Sequence, residues 1–450
     1  MQRNAVRRKN IAVIGTGISG MAAAWLLSHA HDVTVYESDR RVGGHSNTVN
    51  VATANGPIAV DTGFIVYNEL TYPNLTALFD HLGVPTQLSD MSLAVSLAGG
   101  ELEYSGSLSG LFADKRNLLR PRFWSMLRDL QRFYREAPRD LAMLEQTHIT
   151  LGEYLEAGAY GIAFRDDHLL PMAAAIWSAP ATKILSYPAA SFIRFQDSHG
   201  LLKLSNRPPW RTVLGGSRAY VERLTESFAD RIRRATAVTA ARRSDGKVKV
   251  RDSSGAIETF DHAIIASHAD QALAMLDDPT AEEKRLLGAF HYCSNVAVLH
   301  SDATLMPKRR AVWSSWNYIG GRDDGDRCAT VTYWMNSLQR IPRDTPLFVT
   351  LNPPRAPRAE HYRETYHHPL FDTAAISAQR QLWSLQGVRN TWFCGAYFGA
   401  GFHEDGLQAG LAVAEAIGGC RRPWTVANES GRIAIGPLPA SQLPQTELAA

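Results

Sequence analysis

The feature that most constrains this chain is a strand–turn–helix–strand pattern near its start, over residues 10–44. A short apolar run, Ile11–Ile14, leads directly into a glycine-rich turn at 15–20. The run Met21–His29 then has helical character, and Asp32–Tyr36 is a second short strand. Strand and helix alternating at this spacing predict an α/β fold built on a parallel sheet.

Each glycine of the turn has a separate physical task. Gly15 permits the tight turn out of the strand, Gly17 lets the backbone approach a pyrophosphate, and Gly20 lets the helix pack close to the sheet. The helix N-terminus around Ile18 and Ser19 directs unpaired N–H groups and a partial positive charge at the same point. The turn therefore predicts a bound dinucleotide.

Glu37 lies 22 residues after Gly15, at the end of the second strand, with Ser38 beside it. A carboxylate in that position can accept hydrogen bonds from a ribose 2′-OH. The alternative is a glycine-rich turn in an unrelated α/β unit, which would leave Glu37 unexplained. Strand, turn, helix and carboxylate together favour the nucleotide site.

A second glycine pair follows at once, in the segment Arg40–His45 that contains Gly43 and Gly44. This region resembles the FAD-binding half of the superfamily of flavoprotein amine oxidases, phytoene desaturases and protoporphyrinogen oxidases. The resemblance implies FAD as cofactor and an α/β, Rossmann-like FAD-binding domain with an inserted mixed-sheet substrate domain and a helical lobe. That superfamily usually has Arg where this chain has His45.

The resemblance assigns further FAD contacts, which carry over by motif. One segment passes beside the flavin ring, a valine backbone meets the adenine, and a glycine turn with a helix N-terminus faces the flavin; these residues are Asp61, Thr62, Gly63, Phe64, Val238, Gly395, Glu404, Asp405, Gly406 and Leu407. Asp61 has a second interpretation as a turn former or helix cap. Ala396 stands where the superfamily usually has an acidic residue.

The same comparison predicts interleaved domains. The FAD-binding domain takes 1–75, 206–280 and 386–420, the substrate domain with its helical lobe takes 76–205, the substrate sheet takes 281–385, and 421–450 is a Pro/Ser/Gln-rich tail expected to be disordered. Strands are predicted at Ala235–Ala240 and His262–Ala266, and a loop at His367-His368.

Composition excludes several classes. A net charge of +3 on 450 residues, without a basic stripe, argues against nucleic acid. The four cysteines form no CxxC pair and read as reduced thiols, and there is no zinc-type cluster, so no metal is predicted. A glycine turn interrupts the apolar N-terminal run and no window is long enough to span a membrane, which predicts a cytoplasmic protein.

A predicted amphipathic helix, Arg122–Leu144, carries five of the seven arginines from Arg116 to Arg139. One interpretation is the solvated face of a core helix. The other is a basic, apolar-edged surface that makes peripheral contact with anionic lipid headgroups, at the inner membrane face. The sequence leaves both open.

Five segments narrow the resemblance: 176–181, 313–317, 332–336, 393–397 and 401–406. The pattern is similar to bacterial FAD/NAD-binding oxidoreductases related to the N-terminal region of plant cyclopropane-fatty-acid synthases. This implies a fatty-acyl or phospholipid acyl substrate from which a hydride is removed, and a cyclopropane-type lipid methyltransferase as partner. The alternatives are a flavin amine oxidase and a non-catalytic flavoprotein partner of that methyltransferase.

His403 and Glu404 are the predicted catalytic residues, as the polar groups nearest the substrate face of the flavin. A histidine is a plausible base only if its pKa suits the reaction. The alternative for His403 is a structural bridge between flavin and loop. His403 also stands near the place where amine oxidases of the superfamily have a substrate-flanking Tyr, which weighs against an amine.

Overall fold

The computed structural model describes residues 7–321 and 329–438. The strands are β1 (Asn10–Ile14), β2 (Asp32–Tyr36), β3 (Thr48–Thr53), β4 (Gly56–Asp61), β5 (Tyr67–Asn68), β6 (Thr86–Ser89), β7 (Leu93–Leu97), β8 (Leu102–Ser105), β9 (Trp210–Val213), β10 (Ile232–Arg233), β11 (Val238–Ser244), β12 (Lys247–Asp252), β13 (Ile257–Phe260), β14 (His262–Ile265), β15 (His291–His300), β16 (Trp316–Gly320), β17 (Thr330–Trp334), β18 (Phe348–Leu351), β19 (Glu360–Leu370) and β20 (Thr391–Phe393).

The helices follow the same order. They are α1 (Ile18–Ser28), α2 (Pro73–Leu82), α3 (Leu108–Leu111), α4 (Pro121–Thr147), α5 (Leu151–Ala157), α6 (Ile162–Phe164), α7 (Leu170–Trp177), α8 (Ala181–Leu185), α9 (Ala189–Ser198), α10 (Arg218–Thr225), α11 (Ala269–Met275), α12 (Ala281–Leu287), α13 (Met335–Leu338), α14 (Thr373–Gln379) and α15 (His403–Ile417).

A five-stranded parallel sheet positions the predicted nucleotide site. Its strand order is β10-β2-β1-β14-β20, and every neighbouring pair is parallel. The central strands β1 and β14 are buried along almost their whole length, as expected for a sheet covered on both faces. Because the strands are parallel, the segments that follow β1, β2, β14 and β20 leave the sheet at one edge. The predicted α/β fold is confirmed.

A second, seven-stranded sheet is mixed, with the order β19-β15-β18-β17-β16-β7-β8. Only the β16–β7 pair within it is parallel among the described strands. Residues 93–105 and 291–370 build this sheet, while residues 108–198 form helices α3 to α9 beside it. The predicted helix at Arg122–Leu144 is the long helix α4, which buries Phe123, Met126 and Phe133.

Two local predictions are wrong. The strand expected at Ala235–Ala240 begins at Val238, because Ala235 turns with φ +51°, and the short β10 instead pairs with β2. His367 and His368 lie on the edge strand β19 and not in a loop. Pro369 is tolerated there because an edge strand has N–H groups that need no ladder partner.

The expected disordered tail is also wrong for the part that the structure describes, residues 421–438. Arg422 is buried, donates from Nε to Glu415 and from Nη1 to the side chain of Asn74. Ile433 is buried as well. Residues 439–450 and Cys328 lie outside the described residues. No helix in the described ranges is long and apolar enough to cross a membrane.

Candidate cofactor and active site

The first glycine turn has the geometry that the sequence predicts. Gly15 has φ +103° and donates its N–H to Tyr36 at 2.8 Å. A Cβ on Gly20 would lie 2.0 Å from the carbonyl oxygen of Gly15, so only glycine allows α1 to approach the strand. A Cβ on Gly17 would meet nothing within 4 Å, and no side chain caps the N-terminus of α1. The backbone here is open to an anionic ligand.

Glu37 is buried at the end of β2, beside this turn. One carboxylate oxygen accepts from the N–H and hydroxyl of Thr16, and the other accepts from the N–H of Asp39 at 2.9 Å and the hydroxyl of Ser38 at 3.2 Å. These bonds fix the carboxylate in place. Ser38 itself is exposed and makes the longest of these contacts, so a ribose hydroxyl can replace it without disturbing the other bonds.

Val238 follows a segment that contacts the backbone of Glu37. Two residues before it, Thr236 donates its N–H to the carbonyl oxygen of Glu37 at 2.7 Å. The backbone that leads into β11 is therefore next to the predicted ribose position. The contact of Val238 with the adenine edge stays a prediction.

The second glycine pair meets the first turn directly. Gly43 donates its N–H to the hydroxyl of Thr16 at 3.2 Å. Gly44, with φ +55°, lies so close that a Cβ there would be 3.0 Å from Cα of Gly17. Arg41 holds the carbonyl oxygen of Gly44 at 2.7 Å. The two glycine turns thus form one surface at the edge of the parallel sheet.

His45 connects this surface to residues 62–64. Its carbonyl oxygen accepts from the N–H of Phe64 at 2.7 Å, and a Cβ on Gly63 would lie 2.1 Å from the same oxygen. The imidazole ring packs 4.9 Å from the ring of Tyr366 and 5.5 Å from that of His368. Burial, and then the neighbouring histidines, hold the pKa of His45 well below its usual range, so the ring is neutral.

Thr62 and Asp61 have contacts within the protein. Thr62 donates its N–H to Asn47, and its hydroxyl is 2.9 Å from the hydroxyl of Tyr366. The carboxylate of Asp61 accepts from the side chain of Thr48 at 2.6 Å and from the N–H and hydroxyl of Ser217, at the start of α10. The expectation of an Asp61 carboxylate at the flavin is therefore corrected: it caps a helix, the second interpretation.

The helix α15 brings its N-terminus against that of α1. A Cβ on Gly406 would lie 2.9 Å from the side chains of Ile18 and Ser19, and a Cβ on Gly410 would lie 2.1 Å from the carbonyl oxygen of Ser19. Leu407 is buried between these glycines. The small residues allow a close helix pair, and both positive helix ends therefore lie at one place.

His403, the first residue of α15, is held on two sides. Its ring stacks on Phe64 at a centroid distance of 3.8 Å and an angle of 9°. Its Nε2 is 2.7 Å from the hydroxyl of Tyr220 and 3.1 Å from that of Ser46. Burial lowers the pKa of His403 to about 3, so the imidazole is neutral at physiological pH. These contacts favour the interpretation as a structural bridge, while a catalytic role stays a prediction.

Glu404 points away from this region, and the prediction that it is catalytic is corrected. Its carboxylate accepts from the N–H groups of Asn74 and Leu75, in the first turn of α2, and from the side chains of Asn74 and Gln408. Burial raises the pKa of Glu404. With four donors satisfied, this carboxylate serves as the N-terminal cap of α2.

Asp405 is also engaged by the protein. It accepts from the N–H of Phe402 at 2.8 Å and forms a two-pronged ion pair with Arg432, at 2.6 Å to Nε and 3.1 Å to Nη2. These protein partners, and not a flavin, account for the hydrogen bonds of the Asp405 carboxylate. Gly395, which follows β20 at the same sheet edge, remains beside the site, and a Cβ there would lie 2.5 Å from the ring of Tyr397.

Sequence reasoning missed several residues that build this region. Tyr220 on α10 faces His403, Tyr366 and His368 on β19 face His45, and Arg432 comes from the expected tail. The two rings on β19 were missed because Pro369 suggested a loop. A strand pattern of alternating ring residues over 362–368 was the available signal.

An aromatic wall lies next to Phe402, the residue that precedes α15. The ring of Phe402 stacks on Phe195 at 4.7 Å and lies 6.0 Å from His199 and 6.5 Å from Trp177. Burial lowers the pKa of His199 to about 3, so it too is neutral. The wall therefore carries no charge of its own.

These observations fit the FAD that the sequence predicts. The N-termini of α1 and α15 meet at one place, and no side chain caps that of α1. An open glycine lies between α1 and the second glycine turn, and a fixed carboxylate lies at the end of β2. A diphosphate needs N–H donors and positive helix ends, and a ribose needs the carboxylate. Among the described residues, no group of His, Cys, Asp or Glu is arranged to hold a metal ion.

Comparison with known proteins agrees with this arrangement. A family model for flavin containing amine oxidoreductases matches residues 18–309, more than half of the chain. Protoporphyrinogen oxidase 2 (chloroplastic/mitochondrial) of Arabidopsis thaliana is 43% identical over 84 residues, or 18% of this chain and 16% of that protein. A protein named as a flavin-containing monoamine oxidase, AofH of Mycobacterium tuberculosis, is 27% identical over 63% of this chain and 62% of its own. The chain thus matches less than two thirds of the length of either relative.

Solved structures share the fold. Putrescine oxidase bound to putrescine has a TM-score of 0.68 at 15% identity, with 91% of this chain and 99% of that chain covered. A CLA-producing fatty acid isomerase from P. acnes has a TM-score of 0.64 at 17% identity, covering 89% and 97%. At such identities the likeness establishes the fold, and these two proteins act on chemically different molecules.

Proposed function

Because the chain belongs to the family of flavin containing amine oxidoreductases, it is an FAD-dependent oxidoreductase, and we propose that it removes a hydride from a fatty-acyl or phospholipid acyl chain. The proposal covers a desaturase-type modification of methyl-branched or unsaturated lipid. FAD, when bound, supplies the hydride acceptor. The chain itself contributes binding, orientation and exclusion of water.

The observation that carries this proposal is that neither carboxylate in the first turn of α15 is available to a substrate. Glu404 caps α2 and Asp405 is paired with Arg432, so neither is available to bind an ammonium group. An acyl chain asks for apolar contact and no charge partner. The uncharged aromatic wall around Phe402 suits that requirement.

The residues have the following roles under this proposal. The N-terminus of α1 and the backbone at Gly17 and Gly44 bind the diphosphate, and Glu37 orients the ribose. The positive end of α15 favours negative charge on the bound ring system. His403 is fixed by its stacking on Phe64 and its hydrogen bond with Tyr220, and it thereby keeps the N-terminus of α15 in one position. The ring also excludes water from this side of the site.

A second candidate is an amine oxidase. The match to AofH over 63% of this chain favours it, as does the shared fold with putrescine oxidase. A third, non-catalytic role beside a cyclopropane-type lipid methyltransferase rests only on the resemblance of the five segments named above. The acyl substrate of the first candidate and the methyltransferase partner are both proposals drawn from that resemblance.

Anaerobic titration of the purified flavoprotein separates the three candidates. Phospholipids with unsaturated or methyl-branched chains should bleach the visible flavin band, while fully saturated straight-chain phospholipid serves as the matched control. Bleaching by a polyamine or aryl-amine panel, with none by any acyl lipid, would refute the acyl proposal in favour of the amine oxidase. Bleaching by neither, with support of methyltransferase activity in a mixed assay, would favour the non-catalytic role.

A further inference from the structure

The segment 108–128 forms an exposed, basic and apolar surface on the helical lobe, here called the lobe surface. It contains α3, a 3-10 turn at Lys115–Leu119 and the first two turns of α4. Leu108 is 82% exposed, Leu119 86% and Trp124 48%. Large apolar side chains this exposed and this close in sequence mark an interaction site.

These side chains are held on a rigid base and are not the ends of a loose loop. Asn117 is buried, and its amide nitrogen donates to the carbonyl oxygens of Glu103 and Leu111, which anchors the turn to β8 and α3. Trp124 donates from its indole N–H to the carbonyl oxygen of Leu118 at 3.0 Å, and its ring packs 5.7 Å from Phe112. The exposed side chains therefore project from one small, fixed unit.

The same segment has one acidic residue, Asp114, and five basic residues: Lys115, Arg116, Arg120, Arg122 and Arg128. Asp114 is only 5% exposed and lies beneath Arg116, Arg120 and Arg309. Arg116 and Arg128 reach solvent with 60% and 76% of their side chains exposed.

The surrounding carboxylates leave this surface basic. Asp129 and Asp167 are buried, at 5% and 1% exposure, next to arginines. Asp166 is partly exposed and paired with Arg165, and the charge of Glu101 contributes to the raised pKa of Arg116. The cations therefore reach furthest into solvent, while most of the carboxylates lie beneath them.

We propose that the lobe surface docks this protein on an anionic lipid bilayer, with Leu108, Leu119 and Trp124 entering the interface and the arginines contacting headgroups. Apolar side chains and exposed cations on one face are the two signals that reversible membrane binding needs. An acidic protein partner would ask for the cations but not for so many exposed apolar side chains. The inference does not rest on the proposed substrate, since docking can be measured without turnover.

Co-sedimentation of the full chain with vesicles tests the proposal. Vesicles of phosphatidylcholine with phosphatidylglycerol should bind the protein, vesicles of phosphatidylcholine alone should bind it far less, and added salt should weaken the binding. The double variant Arg116→Gln/Arg128→Gln should lower the partition coefficient about 25-fold, at roughly fivefold for each arginine. Leu108→Ser/Leu119→Ser should lower it roughly tenfold or more.

A matched control exists on the β11–β12–β13 sheet, where Ile257 is 56% exposed beside Arg251. The variant Arg251→Gln/Ile257→Ser removes the same kinds of side chain and should bind vesicles like the wild type. All variants should keep their visible flavin spectrum, because the changed side chains are exposed. Equal binding to neutral and anionic vesicles, no binding by the wild type, or equal loss in the control would each overturn the proposal.

Discussion

Replacement of Glu404 by Ala is the most informative single perturbation of the site. The change removes the acceptor for two backbone N–H groups, those of Asn74 and Leu75, and for two side-chain amides. Each buried donor left unpaired costs about 1–3 kcal/mol, and loss of a helix cap costs about 1 kcal/mol. Part of this is offset because burial disfavours the charged carboxylate, so we expect a loss of about 3 kcal/mol around α2.

Hydrogen exchange measured by mass spectrometry on the peptide 72–82 reads this loss locally. A loss of about 3 kcal/mol corresponds to exchange more than about 100-fold faster in α2. Glu404→Gln keeps one carbonyl oxygen and should show a smaller acceleration. The control is Glu282→Ala, which removes an exposed carboxylate from the first turn of another helix and should leave α2 unchanged.

The same variants decide between a structural and a catalytic Glu404. If the carboxylate is a cap, Glu404→Gln should retain flavin reduction by any substrate of the wild type at a similar rate. Unchanged exchange in α2 together with abolished flavin reduction in Glu404→Gln would refute the reasoning. Glu404 would then act on the reacting groups despite its four partners.

Three further predictions follow from the same contacts. Gly20→Ala should abolish FAD retention, because its Cβ would lie 2.0 Å from a carbonyl oxygen, whereas Gly106→Ala meets nothing within 4 Å and should keep FAD, as measured by the flavin-to-protein ratio. Glu37→Gln should weaken FAD binding by about 1.5–3 kcal/mol, measured by titration of the apoprotein, with the exposed Glu282→Gln as control. Burial raises the pKa of Asp61 to about 6, so its contribution is fully present below its unfolded pKa of about 3.9 and is lost as the pH rises through 6. Relative to Asp61→Asn, the wild type should therefore lose about 2 kcal/mol of stability between pH 4 and pH 6 in urea titrations, and a constant difference across that range would contradict the assignment.

The backbone of the nucleotide site could be predicted from sequence because glycine reports geometry directly. Gly15, Gly20 and Gly63 each lie where any Cβ would meet a neighbouring carbonyl oxygen or backbone. Such positions restrict residue choice strongly, and the restriction is visible in a single sequence. Glu37 was predictable for a related reason, since its place at the end of a strand fixes its reach.

The direction of side chains at α15 could not be predicted in the same way. Glu404 and Asp405 stand beside the predicted flavin position in sequence, yet their partners, Asn74 and Arg432, come from segments far along the chain. Which of several donors a carboxylate selects depends on tertiary packing, which local patterns do not report. Arg432 shows this best, because a segment rich in Pro, Ser and Gln gave no sign of a buried ion pair.

The close packing of α1 against α15 has a consequence for the protein without its cofactor. Two positive helix ends that share one location repel each other, and a diphosphate is the counter-charge that relieves the repulsion. Bound FAD should therefore stabilise the contact between the two helices. Removal of FAD should weaken the packing of α1, which follows β1, against α15, which follows β20. Restoring FAD would draw those distant parts of the chain together again.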